Sequence, residues 1–437
     1  MKKPKSTRQI SRVSTRPSHD AACKVALLGF GTVGSSVARI LSQRNLKNLR
    51  LTHIYNRNVT RKKVDWLPAD VHWTDDINDV LSSDVQVVVE VIGGLKPAGE
   101  WIRKVLSSGK SVVTANKQLI SRSGPELVDL ARAHKCHIAF GASVAGGVPV
   151  ISGLQEGLAG DELFRIHGIL NGTCNYILSQ IESTGVSFAD ALAETQKLGY
   201  AEADPTEDVD GLDARAKLAI LARVGLYSSA DPNQILCRSI APVETLDFNY
   251  ARHLDCTIRQ ISNAEIDGDQ LLAAVQPALV PLSSPLARVE GSRNLVTATG
   301  KFGGETVFGG HGAGGNPTAV AIVSDIIAIA RAKAGGMNGF AHMEVAGHRV
   351  SSNFNSRHYL RFKVEDRPGI IAAIASILSK YEINIDSVIQ KPGFSKDSLP
   401  FVITLESCRT SLVDKALEQI AKLDFLVEPC LHLPIVD

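Results

Sequence analysis

Residues 23–41 read CKVALLGFGTVGSSVARIL, an apolar run followed by Gly29-Phe30-Gly31-Thr32-Val33-Gly34 and then by an amphipathic segment whose small residues face back. A glycine triplet at this spacing carries little weight alone. Between a strand and a helix each glycine has a distinct role, since Gly29 permits the tight turn, Gly31 lets a phosphate approach the backbone, and Gly34 lets the helix pack close. Free N–H groups and the dipole at the start of that helix favour a pyrophosphate. The stretch therefore predicts a dinucleotide-binding domain of the Rossmann type.

The second strand, LTHIYNRN, ends at Asn56 and Arg57, where an NAD enzyme usually places an acidic residue on the ribose hydroxyls. Arg57, followed by Arg61, Lys62 and Lys63, suits a 2′-phosphate, so NADP is favoured and NAD is the alternative. Two more β-branched runs, VQVVVEVIGG ending at Gly93-Gly94 and KSVVTANK ending at Asn116-Lys117, have the pattern of strands buried in a parallel sheet. Ligands lie beyond the carboxyl ends of such strands. Lys117 is thus expected in the crevice of the nicotinamide.

The stretch 199–217, GYAEADPTEDVDGLDARAK, crowds Glu202, Asp204, Glu207, Asp208 and Asp210 ahead of an apolar helix and places Asp213 one turn before Lys217. An isolated Asp–Lys pair at this spacing is usually a solvated ion pair of about 0.3–0.5 kcal/mol. A loop that feeds carboxylates and an ammonium to one helix end can instead hold a cationic amine and move a proton. With Lys117 opposite, the two lysines should lower each other's pKa, and the carboxylates should limit that shift.

At 437 residues the chain calls for two or three domains. Its charged fraction of 21% is that of a soluble globular protein, its net charge of +2 argues against a nucleic-acid binder, and it has no apolar run long enough to cross a bilayer. Residues 1–22 form a basic tail, expected to be disordered, whose composition also describes organelle transit peptides. The seven cysteines lack CxxC or zinc spacing and read as reduced thiols in a cytosolic protein.

The expected fold class is α/β, with a Rossmann domain over 23–148 and an α+β substrate-binding and dimerisation domain over 149–333. The last helix of that second domain, from about 317, is expected to pack back on the Rossmann domain. A Gly-, Ser- and Asn-rich linker over 334–357 then leads to a βαββαβ, ferredoxin-like module over 358–437.

From Lys24 onward the chain closely resembles homoserine dehydrogenases that carry a C-terminal ACT domain. The resemblance rests on TANK, ASVAGGVP, NGTCNYIL, GYAEADPTEDVDGLDARAK and GHGAGGNPTA, in the family's order. It implies reversible reduction of L-aspartate 4-semialdehyde to L-homoserine, a step shared by threonine and methionine synthesis. Lys217 would donate the proton to the aldehyde oxygen with Asp213 as its partner, and Lys117 would lie beside the carbonyl; family proposals divide over which lysine delivers the proton. Glu202 and Asp208 would hold the substrate ammonium, with Gly199, Tyr200 and Thr173 around the substrate. Besides the Gly29–Gly34 turn and Arg57, the cofactor would meet Gly93, Gly94, Ala115, Lys117, Gly199, Gly312 and Gly314.

The family also binds a monovalent cation such as sodium or potassium, here through the carbonyls of Gly141, Val144, Gly146 and Val148, although Gly141 replaces a common Glu. In the ACT domain, Asp366-Arg367-Pro368-Gly369-Ile370 matches the ligand-binding turn, which points to L-threonine as effector. Members of the family are commonly dimers, and ACT pairing would add a tetramer. Two rivals remain: an acylating aldehyde dehydrogenase with Cys174 as nucleophile, and a non-catalytic amino-acid sensor on a nucleotide-binding scaffold.

Overall fold

Short β-branched runs with glycines at their ends give a parallel sheet of β1 (Cys23–Leu28), β2 (Leu49–Tyr55), β3 (His72–Thr74), β4 (Val87–Glu90), β5 (Ser111–Thr114) and β6 (Ile138–Ala139). Its order is β3-β2-β1-β4-β5-β6, so the direction of winding reverses between β1 and β4, where a crevice opens at the carboxyl ends. The computed structural model describes residues 22–44, 46–335 and 345–436. All but the last residue of the basic tail, and the middle of the expected linker, therefore lie outside the described residues.

The nucleotide turn closes tightly. A Cβ on Gly34 would fall 2.2 Å from the carbonyl of Gly29, so only glycine lets the helix Thr32–Gln43 start so near the strand. One face of the sheet is covered by this helix and by Gly315–Ala334, which contributes Ala319, Ile322, Val323, Ile326 and Ile329 to the same buried cluster. The other face, under Ala98–Ser107 and Lys117–Ala133, shares a cluster with Leu218, Ile220 and Leu221 of Leu212–Gly225. That shared core sets the helix Leu212–Gly225 directly against the nucleotide domain.

The second domain is built on β7 (Leu163–Ile169), β8 (Leu236–Cys237), β9 (Cys256–Asp267), β10 (Gln270–Pro281), β11 (Arg293–Gly300) and β12 (Gly304–His311). The stretch expected as a linker carries, in its described part, β13 (Arg349–Ser351), parallel to Gln270–Leu272 of β10. A three-residue strand is too short to leave a period in the sequence. The C-terminal module then supplies β14 (Asn355–Val364), β15 (Ile385–Gln390), β16 (Leu399–Arg409) and β17 (Leu431–Ile435), with helices Ile370–Lys380 and Thr410–Ile420.

The two sheets are one. Pairing of Leu279 in β10 with Ile435 in β17 joins them into an 11-stranded sheet of order β12-β11-β7-β9-β10-β17-β14-β16-β15, with β8 and β13 also on β10. The junction is reinforced by a buried ion pair, Arg361 to Asp247 at 2.7 Å, and by a hydrogen bond from Tyr359 to the same carboxylate at 2.8 Å. Among the described residues no helix is long and apolar enough to cross a membrane.

Candidate active site

Two helix starts meet at the crevice. Asn116 caps Lys117–Ala133 by accepting the N–H of Leu119 at 3.1 Å, and its amide donates to the carbonyl of Gly94 at 2.6 Å. Lys117 thereby becomes the first residue of a helix, where the dipole disfavours a cation. A carboxylate offsets that: Lys117 Nζ lies 2.9 Å from Asp213 Oδ1. Asp213 occupies the first turn of Leu212–Gly225, and its Oδ2 accepts from Lys217 Nζ at 2.7 Å.

One carboxylate therefore carries both lysines. Lys217 also donates to the carbonyl of Leu170 at 2.8 Å, leaving one ammonium hydrogen for a ligand. Its side chain is 14% exposed against 36% for Lys117, so Lys117 faces the open crevice and Lys217 its floor. Burial would raise the Asp213 carboxyl, but Lys217 and Lys117 together hold it well below the usual carboxylate range.

The expectation that the lysines lower each other's pKa fails at Lys117. Burial pulls its ammonium down, yet the charge and hydrogen bond of Asp213, with Asp208 and Glu207 behind it, hold it above its ordinary value. Carboxylates outnumber lysines here, and the nearest one is shared. Asp208 moves the other way for an acid: burial and the charge of Asp213 raise it despite its hydrogen bond from Asn171.

Asn171 organises the carboxylates and was not singled out in the sequence. Its Nδ2 donates to Asp208 at 2.6 Å and to Asp213 at 2.9 Å, while its Oδ1 caps Gly172–Thr184 by accepting from Cys174 N at 2.8 Å. An Asn just before an apolar helix is a capping signal, and it could have been found in NGTCNYIL. Asn294 likewise donates to the Leu170 carbonyl that holds Lys217, at 2.9 Å.

Glu90 was missed as well. It ends the apolar strand β4 and is fully buried, accepting from the N–H groups of Ile92 and Gly93 at 2.8 and 2.9 Å and from the Thr114 hydroxyl at 2.6 Å. A lone carboxylate in an apolar run is the signal, because a buried charge needs such partners. It shapes the Gly93-Gly94 turn beside Ala115 and Lys117.

Other predicted positions divide. Thr173 donates to the carbonyl of Tyr200 at 2.9 Å, which brings Thr173, Gly199 and Tyr200 to the same rim. Gly312 and Gly314 precede Gly315, where a Cβ would stand 3.1 Å from the Thr32 carbonyl, so they adjoin the turn of Gly29, Phe30, Gly31, Thr32 and Val33. The start of Thr32–Gln43 has no side-chain cap and no acidic residue in its first turn, which leaves N–H groups for a pyrophosphate. Glu202 and Arg57 are exposed. Among the described residues no hydrogen bond or ion pair ties either side chain to the lysine cluster.

Cys174 is fully buried and donates to the Asp208 carbonyl at 3.0 Å, and burial pushes its thiol far above its ordinary value. An accessible thiolate nucleophile is the opposite of this. Of the cation residues, Gly141 donates its N–H to Asp325 at 2.9 Å, and a Cβ there would meet the same carboxylate at 2.9 Å. A glutamate at 141 would collide with it. Burial pushes Asp325 up to about 7. Val144, Gly146 and Val148 follow within one bend in which Ala145 and Gly146 both have positive φ, and the Val148 carbonyl accepts from Val150 N at 2.8 Å.

In the C-terminal module the turn Asp366-Arg367-Pro368-Gly369 is exposed and Ile370 is buried. Arg367 pairs with Asp424 and lies over the ring of Phe425, 5.3 Å from its centroid.

Comparison with known proteins gives a consistent picture. A family model described as homoserine dehydrogenase matches residues 149–327, one described as the homoserine dehydrogenase NAD-binding domain matches 29–141, and the ACT domain model matches 358–425. A homoserine dehydrogenase of Mycobacterium tuberculosis is 41% identical over 393 residues, covering 86% of this chain and 88% of that protein. The crystal structure of a homoserine dehydrogenase from Thiobacillus denitrificans superposes with a TM-score of 0.89 at 32% identity, over 95% of this chain and 98% of the other. A hyperthermophilic archaeal homoserine dehydrogenase in complex with NADPH matches with a TM-score of 0.61 at 26% identity, over 70% of this chain and 97% of that one.

Proposed function

The chain belongs to the homoserine dehydrogenase family of oxidoreductases, and on that premise we propose that it reduces L-aspartate 4-semialdehyde reversibly to L-homoserine, with NADPH as the preferred dinucleotide. The observation that supports this most strongly is Asp213 holding Lys117 and Lys217 on its two oxygens beyond the strands of the nucleotide sheet. The dinucleotide supplies the hydride. The protein's own contribution is made at the oxygen of the aldehyde, where negative charge develops.

Lys217 donates the proton to that oxygen, and Lys117, more exposed on the opposite wall, stabilises the charge. Asp213 keeps both as ammonium ions and fixes their spacing. Asp208 accepts the substrate ammonium, with Glu202 on the exposed loop as the second carboxylate assigned to it. Gly199, Tyr200 and Thr173 form the rim, and Arg57 receives the 2′-phosphate. The oxygen-only donors Gly141, Val144, Gly146 and Val148, with the Asp325 carboxylate beside Gly141, suit a hard monovalent cation such as sodium or potassium.

We assign the C-terminal module to feedback inhibition by L-threonine through Asp366–Ile370, with two chains pairing to enclose a turn that is open on one. The enzyme is placed in the cytoplasm, in the threonine and methionine pathway, as a homodimer or homotetramer. Following NADPH absorbance with aspartate semialdehyde tests the assignment. Turnover that falls on adding millimolar threonine is expected; intact NADPH binding without turnover would favour the non-catalytic sensor.

A further inference from the structure

Lys117 and Asp213 meet at the starts of two helices, and the same helices are joined a second time further along. Arg223, in the last turn of Leu212–Gly225, donates from Nη1 to the carbonyl of Ile120 at 3.0 Å and from Nη2 to that of Ser121 at 3.3 Å, both within Lys117–Ala133. On the roles proposed for the two lysines, we infer that Arg223 is a positioning residue for the reduction. It fixes the helix of Lys117 against the helix of Asp213 and Lys217, and so sets where the Lys117 ammonium stands.

The receiving helix has a socket for this guanidinium. Pro125 lies inside Lys117–Ala133 and has no N–H, so the carbonyl of Ser121, four residues earlier, lacks its helical donor. Ser121 is buried, and an unpaired carbonyl there would be costly. Arg223 Nη2 supplies the missing donor. Gly124 makes the room, since a Cβ on it would stand 2.7 Å from Arg223 Nη1. One glycine and one proline thus leave a free acceptor and a gap side by side.

Stability alone does not account for a charge at this place. Arg223 Nε is buried with no partner among the described residues, and no carboxylate offsets the burial that pulls its pKa below the ordinary value. An apolar side chain would fill the space without that cost. What it would lack is direction. The core shared by Leu119, Ile120 and Leu127 with Leu218, Ile220 and Leu221 is held by a non-directional force, and the Lys117–Asp213 pair is a single point of attachment. A fork on two successive carbonyls adds a second point, and two points fix both the slide and the rotation of one helix on the other. A shift of roughly 1 Å at a reacting group is enough to cost ~100-fold in rate.

The test measures Lys117 directly in the full-length protein, by its rate of acetylation with limiting acetic anhydride at one fixed pH, read by mass spectrometry beside kcat and NADPH affinity. Only the free amine reacts, so the rate reports how well Asp213 holds the ammonium. Arg223→Met keeps the stem and removes the fork. Gly124→Ala crowds the guanidinium off its carbonyls while improving helix propensity. Each should raise Lys117 acetylation and lower kcat by at least ~10-fold, with NADPH affinity within about twofold of wild type. The double variant should be no worse than Arg223→Met, because the added methyl then has no guanidinium to displace. A purely structural role would lower thermal stability and leave Lys117 reactivity in the folded protein as it was. Unchanged reactivity or unchanged kcat in whichever variant folds overturns the inference, as does full additivity of the two substitutions. Raised reactivity in a protein that, as wild type, does not turn over the semialdehyde would uphold the attachment of the helices and overturn the proposed function.

Discussion

Lys117, on the first turn of a nucleotide-domain helix, reaches Asp213, on the first turn of a substrate-domain helix, at 2.9 Å. The pair Asp213 and Lys217 is thereby tied across a domain boundary, so nothing that shifts the domains leaves it untouched. Lys217 is the deeper partner, with the carbonyl of Leu170 as its second acceptor. Replacing Lys217 with Ala should cut kcat by at least ~100-fold. If Lys217→Ala keeps near-normal kcat and Lys117→Ala does not, the proton comes from Lys117.

Asp213→Asn removes the charge that holds Lys117 above its ordinary value. In the wild type the stabilisation from this lysine is fully present below its unfolded pKa and is lost only as pH rises through the higher folded one. The alkaline limb of kcat/KM due to Lys117 therefore lies above pH 10.5. In Asp213→Asn it should move to lower pH, with kcat at neutral pH down by ~100-fold or more. An unmoved limb would show that Asp213 does not govern Lys117.

Asn171 both caps a helix and bridges Asp208 with Asp213. Asn171→Ala should lose about 0.5–2 kcal/mol of stability from the cap and raise KM for the semialdehyde. Asn171→Ser retains a capping oxygen but lacks the amide that bridges the two carboxylates. It should therefore recover thermal stability and not KM, which denaturation midpoints and initial rates can separate.

Asp325 is held up near 7 by burial, with Glu156 adding to the effect. Because its folded pKa exceeds the unfolded one, ionising it costs stability as pH rises from about 4 through about 7. Asp325→Asn cannot ionise, so in buffer free of sodium and potassium it should raise Tm at pH 8 by roughly 2–4 °C or more and leave Tm near pH 4 unchanged. Melting curves at the two pH values decide it; an equal change at both would rule out titration of Asp325.

Arg57 stands exposed past the end of β2. Arg57→Ala should raise KM for NADPH at least ~10-fold and leave KM for NADH within a factor of two or so. Equal effects on both dinucleotides would remove Arg57 from the 2′-phosphate.

Residues 23–41 and 199–217 were enough to specify the nucleotide turn, the helix that follows it, and the Asp213–Lys217 step, because these depend on glycine geometry, β-branched runs and helical spacing within a few residues of chain. The sequence also placed Lys117 at the crevice, from the rule that ligands lie beyond strand ends. Only the tertiary structure decided that one carboxylate serves both lysines, that Asn171 ties it to Asp208, and that Glu90 braces the Gly93-Gly94 turn. It also decided that Leu279 and Ile435 join two sheets into one. Each of these is a contact between residues distant in the chain, made when separate cores pack together, and no local period or propensity encodes it.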